Sequence, residues 1–206
     1  MLADLVCTLG LFIPLFLIFF RSLRRMRAQQ NAAMQSLAAH HGFMFNPNHA
    51  YHGTVMSGTL GSHRCDVSFE TVRRRSRRNR SSTYMHITVA LNTPLRLGLL
   101  ITRQGFLTEG LRLPDTLTGN QDIIVGEKNF DDTYRVKGMD ENAVRAYFTP
   151  QRIQAVLQFQ RSLGPLQNLT MTDQQLNLRF PGVVSDMSIL SQTAKGLVWL
   201  AQQLEG

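Results

Sequence analysis

Three groups of residues in this chain have the types and spacing for chemistry. The first is basic. Arg73, Arg74, Arg75, Arg77, Arg78 and Arg80 crowd into the run RRRSRRNR. Their guanidiniums stay charged at physiological pH and fork toward carboxylates or phosphates. They suit anionic lipid headgroups, at about 1 kcal/mol per residue near a surface. They equally suit an acidic protein face or nucleic acid phosphates. Base stacking needs aromatic rings and only Tyr84 lies near, so nucleic acid fits least. The second group is Asp131 and Asp132, adjacent carboxylates that could share acid/base work or a cation, or simply close a turn or cap a helix. The third is histidine: His40 with His41, His49 with His52, His63 near Cys65, and His86. None stands in C-x-x-C or H-E-x-x-H spacing, so no metal and no cofactor is expected. No G-x-S-x-G, Walker loop or G-x-G-x-x-G is present. Cys65 falls on the apolar side of a strand, where a buried, inert thiol is the default. No catalytic residue is assigned, and the chain reads as non-enzymatic.

The elements that must position these groups are legible from periodicity. Gly53 to Leu60 is a short strand. Cys65, Val67 and Phe69 alternate with polar residues between His63 and Val72, as do Met85, Ile87, Val89 and Leu91 between Tyr84 and Leu91. Leu97, Leu99 and Ile101 share a face between Leu95 and Thr102. Alternation of period two predicts half-buried antiparallel strands, which puts the arginine run on a hairpin tip. Residues 104 to 121 read as a loop, and Asp122 to Val125 and Tyr134 to Lys137 as short strands. Asp140 caps a helix through Phe148. Thr149-Pro150 opens a second helix that stops at Gly164-Pro165. Leu169 to Phe180 is a hairpin turning at Asp173-Gln174. Asp186 or Ser185 caps a last helix. The predicted fold is α+β: one antiparallel-sheet domain with helices packed on one side.

An apolar stretch precedes all of this. Leu5 to Phe20 holds sixteen uncharged residues, and Arg21, Arg24, Arg25 and Arg27 follow at once. Sixteen helical residues span roughly 24 Å, a little short of a hydrocarbon core of about 30 Å. Flanking residues and snorkelling arginines can make up the difference. The expectation is an N-terminal single transmembrane helix, kinked near Pro14. It divides the chain into an anchor at 1–23, an amphipathic stalk helix at 24–42 ending at Gly42, and a cytoplasmic domain at 43–206. Arginines after the span and none before it place the C-terminal domain inside an inner membrane and the N-terminus outside. Cys7 and Cys65 build no disulfide framework, which suits a reducing compartment.

The net charge of +8 is local. Without the ten arginines of the two runs, 12 basic and 14 acidic residues remain, a net of −2. The domain is close to neutral with two basic patches, unlike the diffuse basic face of a general nucleic-acid binder.

The segment Phe130-Asp131-Asp132-Thr133-Tyr134-Arg135-Val136-Lys137-Gly138, followed by Asp140-Glu141 and a helix ending at Thr149-Pro150, resembles a pattern found in uncharacterised bacterial membrane-anchored proteins. Gly58-Thr59-Leu60-Gly61 upstream fits the same type. The similarity covers roughly residues 40 to 180. It implies architecture and assigns no activity and no site residue.

These readings lead to an expected function: a non-enzymatic, single-pass accessory subunit of a larger membrane complex. It would dock on integral membrane protein subunits and anionic headgroups through its span and its arginine tip. The alternative is a membrane-tethered cytoplasmic adaptor for an acidic soluble partner or nucleic acid. An enzyme of unrecognised type comes third.

Overall fold

The computed structural model describes residues 21–47, 53–73, 81–104, 122–164, 167–184 and 186–206, except 23, 24, 26, 27, 30, 33 and 37. The described residues between 21 and 41 are helical and form α1. Then come β1 (Met44–Phe45), β2 (Gly53–Leu60), β3 (His63–Arg73), β4 (Ser81–Ala90) and β5 (Leu100–Arg103). They are followed by α2 (Lys128–Thr133), β6 (Tyr134–Lys137), α3 (Glu141–Tyr147), α4 (Pro150–Ser162), β7 (Asn168–Thr172), β8 (Gln175–Pro181) and α5 (Met187–Glu205). The strands form one eight-stranded sheet in the order β1-β2-β3-β4-β8-β7-β5-β6, antiparallel at every pairing. The hairpin β7–β8 slots between β4 and β5, so the centre of the sheet is built from segments far apart in the chain.

Register explains how the alternating strands share a core. Val67 pairs with Ile87 and Ile87 with Leu178, and Leu178 pairs with Leu169. One row of apolar side chains thus crosses four strands on a single face, each at most 3% exposed. Burial of side chains of this size is worth about 1.5–3 kcal/mol apiece. The helices bury their apolar stripes on that same face. Met34 and Ala38 of α1, Phe130 of α2, Val144 of α3, Val156 of α4 and Leu197 of α5 all belong to the one cluster. The remaining sheet face carries polar rows.

Local chemistry sets the helix ends. Gly42, at φ 67°, takes the left-handed turn after α1, and Phe43 N–H returns to Ala38 C=O at 2.7 Å. Asp140 accepts from Asn142 N–H at 2.8 Å and opens α3. Thr149 caps α4, with Pro150 at its first position. Asp186 accepts from Ser188 N–H at 2.9 Å and opens α5. Two expected strands differ. Between Leu95 and Thr102 the strand starts only at Leu100, because the backbone ahead of it is tied to Asp173. Asp122 to Val125 is not a sheet strand and joins the edge by Ile123 N–H to Val136 C=O, at 2.8 Å, and by the Arg135–Asp122 ion pair at 3.0 Å. Residues 130 to 133 are helical, capped by Glu127, whose carboxylate accepts from Phe130 N–H at 2.6 Å.

The membrane-spanning reading is corrected. Among the described residues no helix is long and apolar enough to cross a membrane. The physical reason is amphipathicity: α5 has 19 residues, but Ser188, Gln192, Lys195, Gln202 and Gln203 stand exposed along it. In α1, Met34 and Ala38 pack into the domain's own core while Arg21, Arg25, Gln29 and Gln35 are exposed. Leu5 to Phe20 lies outside the described residues. The single transmembrane helix in the fold class goes with it. So do the single-pass accessory subunit, the membrane-tethered adaptor and the inner-membrane location with its N-terminus outside.

Candidate functional site on the polar face of the sheet

Most of the chemically suggestive residues turn out to be occupied. Asp131 accepts from Val125 N–H and Gly126 N–H, both at 2.9 Å, so its carboxylate folds the loop ahead of α2. Asp132 stands exposed beside it. Cys65 is fully buried, and burial followed by the neighbouring Asp66 charge pushes its thiol up to about 12. It is protonated at neutral pH and a poor nucleophile. His41 donates to or accepts from Ser191 Oγ at 3.0 Å, beside a cavity of about 10 Å³ lined by Phe43, Cys65, Val67 and Ile87. That space is about one water in size. Burial first, then His40 and Lys195, lowers the His41 pKa. His49 and His52 lie outside the described residues, and the described ones hold no cluster of three metal-ligating side chains.

His63 is 1% exposed and forms a clamp. Its Nε2 meets Glu205 Oε2 at 2.9 Å, and Ser62 Oγ lies 3.2 Å from its Nδ1. The Glu205 carboxylate also accepts from the backbone N–H groups of Asn92 and Thr93. The end of α5 is thereby pinned to the strand ends beneath it. Burial works to raise the Glu205 carboxyl, but the hydrogen bonds from His63, Thr93 and Asn92 and the His63 charge outweigh it and hold the pKa below the usual 4.5. A depressed carboxyl stabilises the fold above its unfolded pKa and loses that contribution as pH falls through the folded value. Glu205→Gln is therefore expected to be less stable than the parent chain above pH 4.5. The gap should close as pH drops further, and urea unfolding at about pH 7 and about pH 3.5 measures it. An equal gap at both would rule out the carboxylate's part in the clamp.

The unspent chemistry lies on the polar sheet face. His86 of β4, Arg179 of β8 and Asn168 of β7 are directly paired neighbours in one row, and Ser68 of β3 continues it beyond His86. Each of the three carries a buried polar atom with no hydrogen-bond partner among the described residues: His86 Nε2, Arg179 Nε and Asn168 Oδ1. An orphaned buried group costs about 1–3 kcal/mol, so three in adjacent positions are a concentrated expense. Asn177 donates its amide N–H to Thr88 Oγ1 at 2.8 Å, which turns its carbonyl oxygen to His86 Nδ1 at 3.1 Å. Nδ1 therefore carries the hydrogen. His86 Nε2 stands 3.2 Å from Glu70 Oε2, at ion-pair distance but out of line for a hydrogen bond.

On this face Arg64 pairs with Asp66 at 3.0 Å, and Glu70 Oε2 lies 3.2 Å from His86 Nε2. Arg179 meets no carboxylate among the described residues; its guanidinium carbon sits 3.6 Å over the centre of the Tyr84 ring. A cation–π contact holds the fork flat without using its hydrogen-bond donors. The next row of the same face runs Thr88, Asn177, Thr170 and Thr102, the last two buried.

The residues singled out from sequence fall elsewhere. Arg73 ends β3, opposite Ser81. Arg74, Arg75, Arg77, Arg78 and Arg80 lie outside the described residues, as do Arg24 and Arg27. Arg21 and Arg25 are exposed on α1. The row His86–Arg179–Asn168 was missed. Its signal was present in LNLRF, where Asn177 and Arg179 take the outward positions between buried Leu176, Leu178 and Phe180.

No protein-family model matches the chain. No curated protein matches it. The fold is similar to a solved structure, the crystal structure of the mycobacterial trehalose monomycolate transport factor A, TtfA, with a TM-score of 0.48 and 11% identity over 85% of this chain and 94% of that one. That degree of likeness carries no argument about this chain.

Proposed function

We propose that this chain is a non-enzymatic binding domain that holds a small anionic ligand on the polar face of its sheet. The observation that carries the reading is Arg179, a guanidinium with a buried donor and no carboxylate among the described residues. A guanidinium fork matches carboxylate and phosphate oxygens bidentately. Arg179 is half-buried, which favours a small oxyanion over a broad flat surface. A non-enzymatic role is supported by the way Asp131, Glu205 and His63 are tied to backbone or to each other and by the raised Cys65 thiol.

Nuclear magnetic resonance titration of the full chain with acetate and with inorganic phosphate tests this, reading the Arg179 Nε–H signal. At least one anion should shift that signal in a saturable way. Arg179→Met should weaken binding by about tenfold or more, as expected for a lost charge-assisted pair. Arg179→Lys, which keeps the charge without the fork, should fall between. Saturable binding that survives Arg179→Met, or no binding of either anion, would sink the reading.

A further inference from the structure

We infer that His41 is a proton-sensitive latch: it holds the end of α1 against α5 at neutral pH and releases it in mild acid. The latch is independent of the polar sheet face. His41 is the last residue of α1, and its Nε2 lies 3.0 Å from Ser191 Oγ of α5. Gly42 follows at φ 67°, and a Cβ there would meet nothing within 4 Å. The chain thus turns at an open glycine just where α1 ends, which gives the helix a point about which to swing. Met34 and Ala38, buried in the core, and the His41 contact hold it down.

The surroundings of His41 suit a neutral ring. It borders the small cavity, into which β2, β3 and β4 send Leu60, Cys65, Val67 and Ile87. Of these Cys65 titrates, and its thiol, pushed up to about 12, stays protonated and uncharged. From its own helix His40 meets the ring edge-on, with centres 4.9 Å apart. From α5, Lys195 stands one turn beyond Ser191, and its charge reaches the ring. Among the described residues no carboxylate acts on His41. An imidazolium here has burial and two basic neighbours against it, and only a hydroxyl to receive its hydrogen. Burial, then His40, then Lys195 lower the His41 pKa from the ordinary 6.5. Once α1 is released, the ring takes up its proton at the ordinary value. A depressed histidine therefore supports docking above pH 6.5, and that support is lost as pH falls from there toward the docked value. Release opens the cavity and uncovers Leu190 and Ala194 of α5, an apolar strip that neutral pH keeps covered.

Amide exchange of the full chain at about pH 7.5 and about pH 5.5, corrected for intrinsic rates, tests the latch. This window lies above the titration of Glu205, so its carboxylate keeps the end of α5 in place. Amides near Met34 and Ala38 should lose protection in acid, while those of β3 and β4 keep theirs. His41→Gln, which still offers Ser191 a polar partner and takes up no proton, should protect α1 equally at both pH values. Lys195→Glu, a change at an exposed position, gives the imidazolium a carboxylate and should shrink the loss in acid. Unchanged protection of α1 across the window in the parent chain overturns the latch. So does a loss in acid that persists in full in His41→Gln, or one that Lys195→Glu leaves as it was.

Discussion

Replacing Phe130 by alanine is expected to cost about 4 kcal/mol, within the 3–5 kcal/mol range for truncating a buried aromatic. The ring is 0% exposed, and its centre lies 5.2 Å from that of Tyr134 and 5.4 Å from that of Phe148. It therefore joins α2 to β6 and to the end of α3. Tyr134 cannot collapse into the void, because its hydroxyl is held to Gln160 Oε1 of α4 at 2.7 Å. The transition should drop by about 8–16 °C, at roughly 2–4 °C per kcal/mol for a domain of this size. Urea unfolding with an unchanged slope checks it. A loss below about 1 kcal/mol would mean that the three rings are not a packed unit.

Replacing Asp173 by alanine is expected to cost about 3 kcal/mol, from charge-assisted hydrogen bonds partly offset by solvation of the half-buried turn. Asp173 sits in the β7–β8 turn, yet its carboxylate accepts from Leu97 N–H at 3.1 Å, Gly98 N–H at 2.7 Å and Leu99 N–H at 2.9 Å. Its backbone C=O accepts from Leu95 N–H at 3.0 Å. One turn residue thus shapes the whole approach to β5. Gly98 lies at φ 62°, and a Cβ there would fall 2.4 Å from Met139 Cγ, so the loop has little freedom to find another path. Asp173→Asn keeps an acceptor oxygen and should lose about half as much. Amide exchange locates the effect: residues 97 to 99 should lose protection before β3 or β4. Uniform loss across the sheet would show that the turn is not a local organiser.

The hairpin turn at Asp173-Gln174 was readable from sequence, and Asp173's grip on a loop 74 to 76 positions away was not. The same division runs through the molecule. Asp140, Thr149 and Asp186 announce helix starts because a cap bonds a backbone N–H two or three residues ahead. Cys65, Val67 and Phe69 announce a buried face because side-chain direction alternates within the strand itself. Asp131 looked like half of a carboxylate pair, but its fate depended on the turn of the 125–126 backbone toward it. The hydrophobic stretch before Arg21 carried the functional reading, while the described structure concentrates its unpartnered buried polar atoms at His86, Arg179 and Asn168 on the polar sheet face.

By itself the sequence determined the inward and outward rows of β3 and β4 and the caps that open α3, α4 and α5, since each follows from contacts within a few residues. The tertiary structure alone decided that β8 lies between β4 and β7. That placement sets Arg179 between His86 and Asn168. Strand pairing is a choice among long-range partners made by the whole core at once, and a one-residue slip would turn every side chain of the row to the other face.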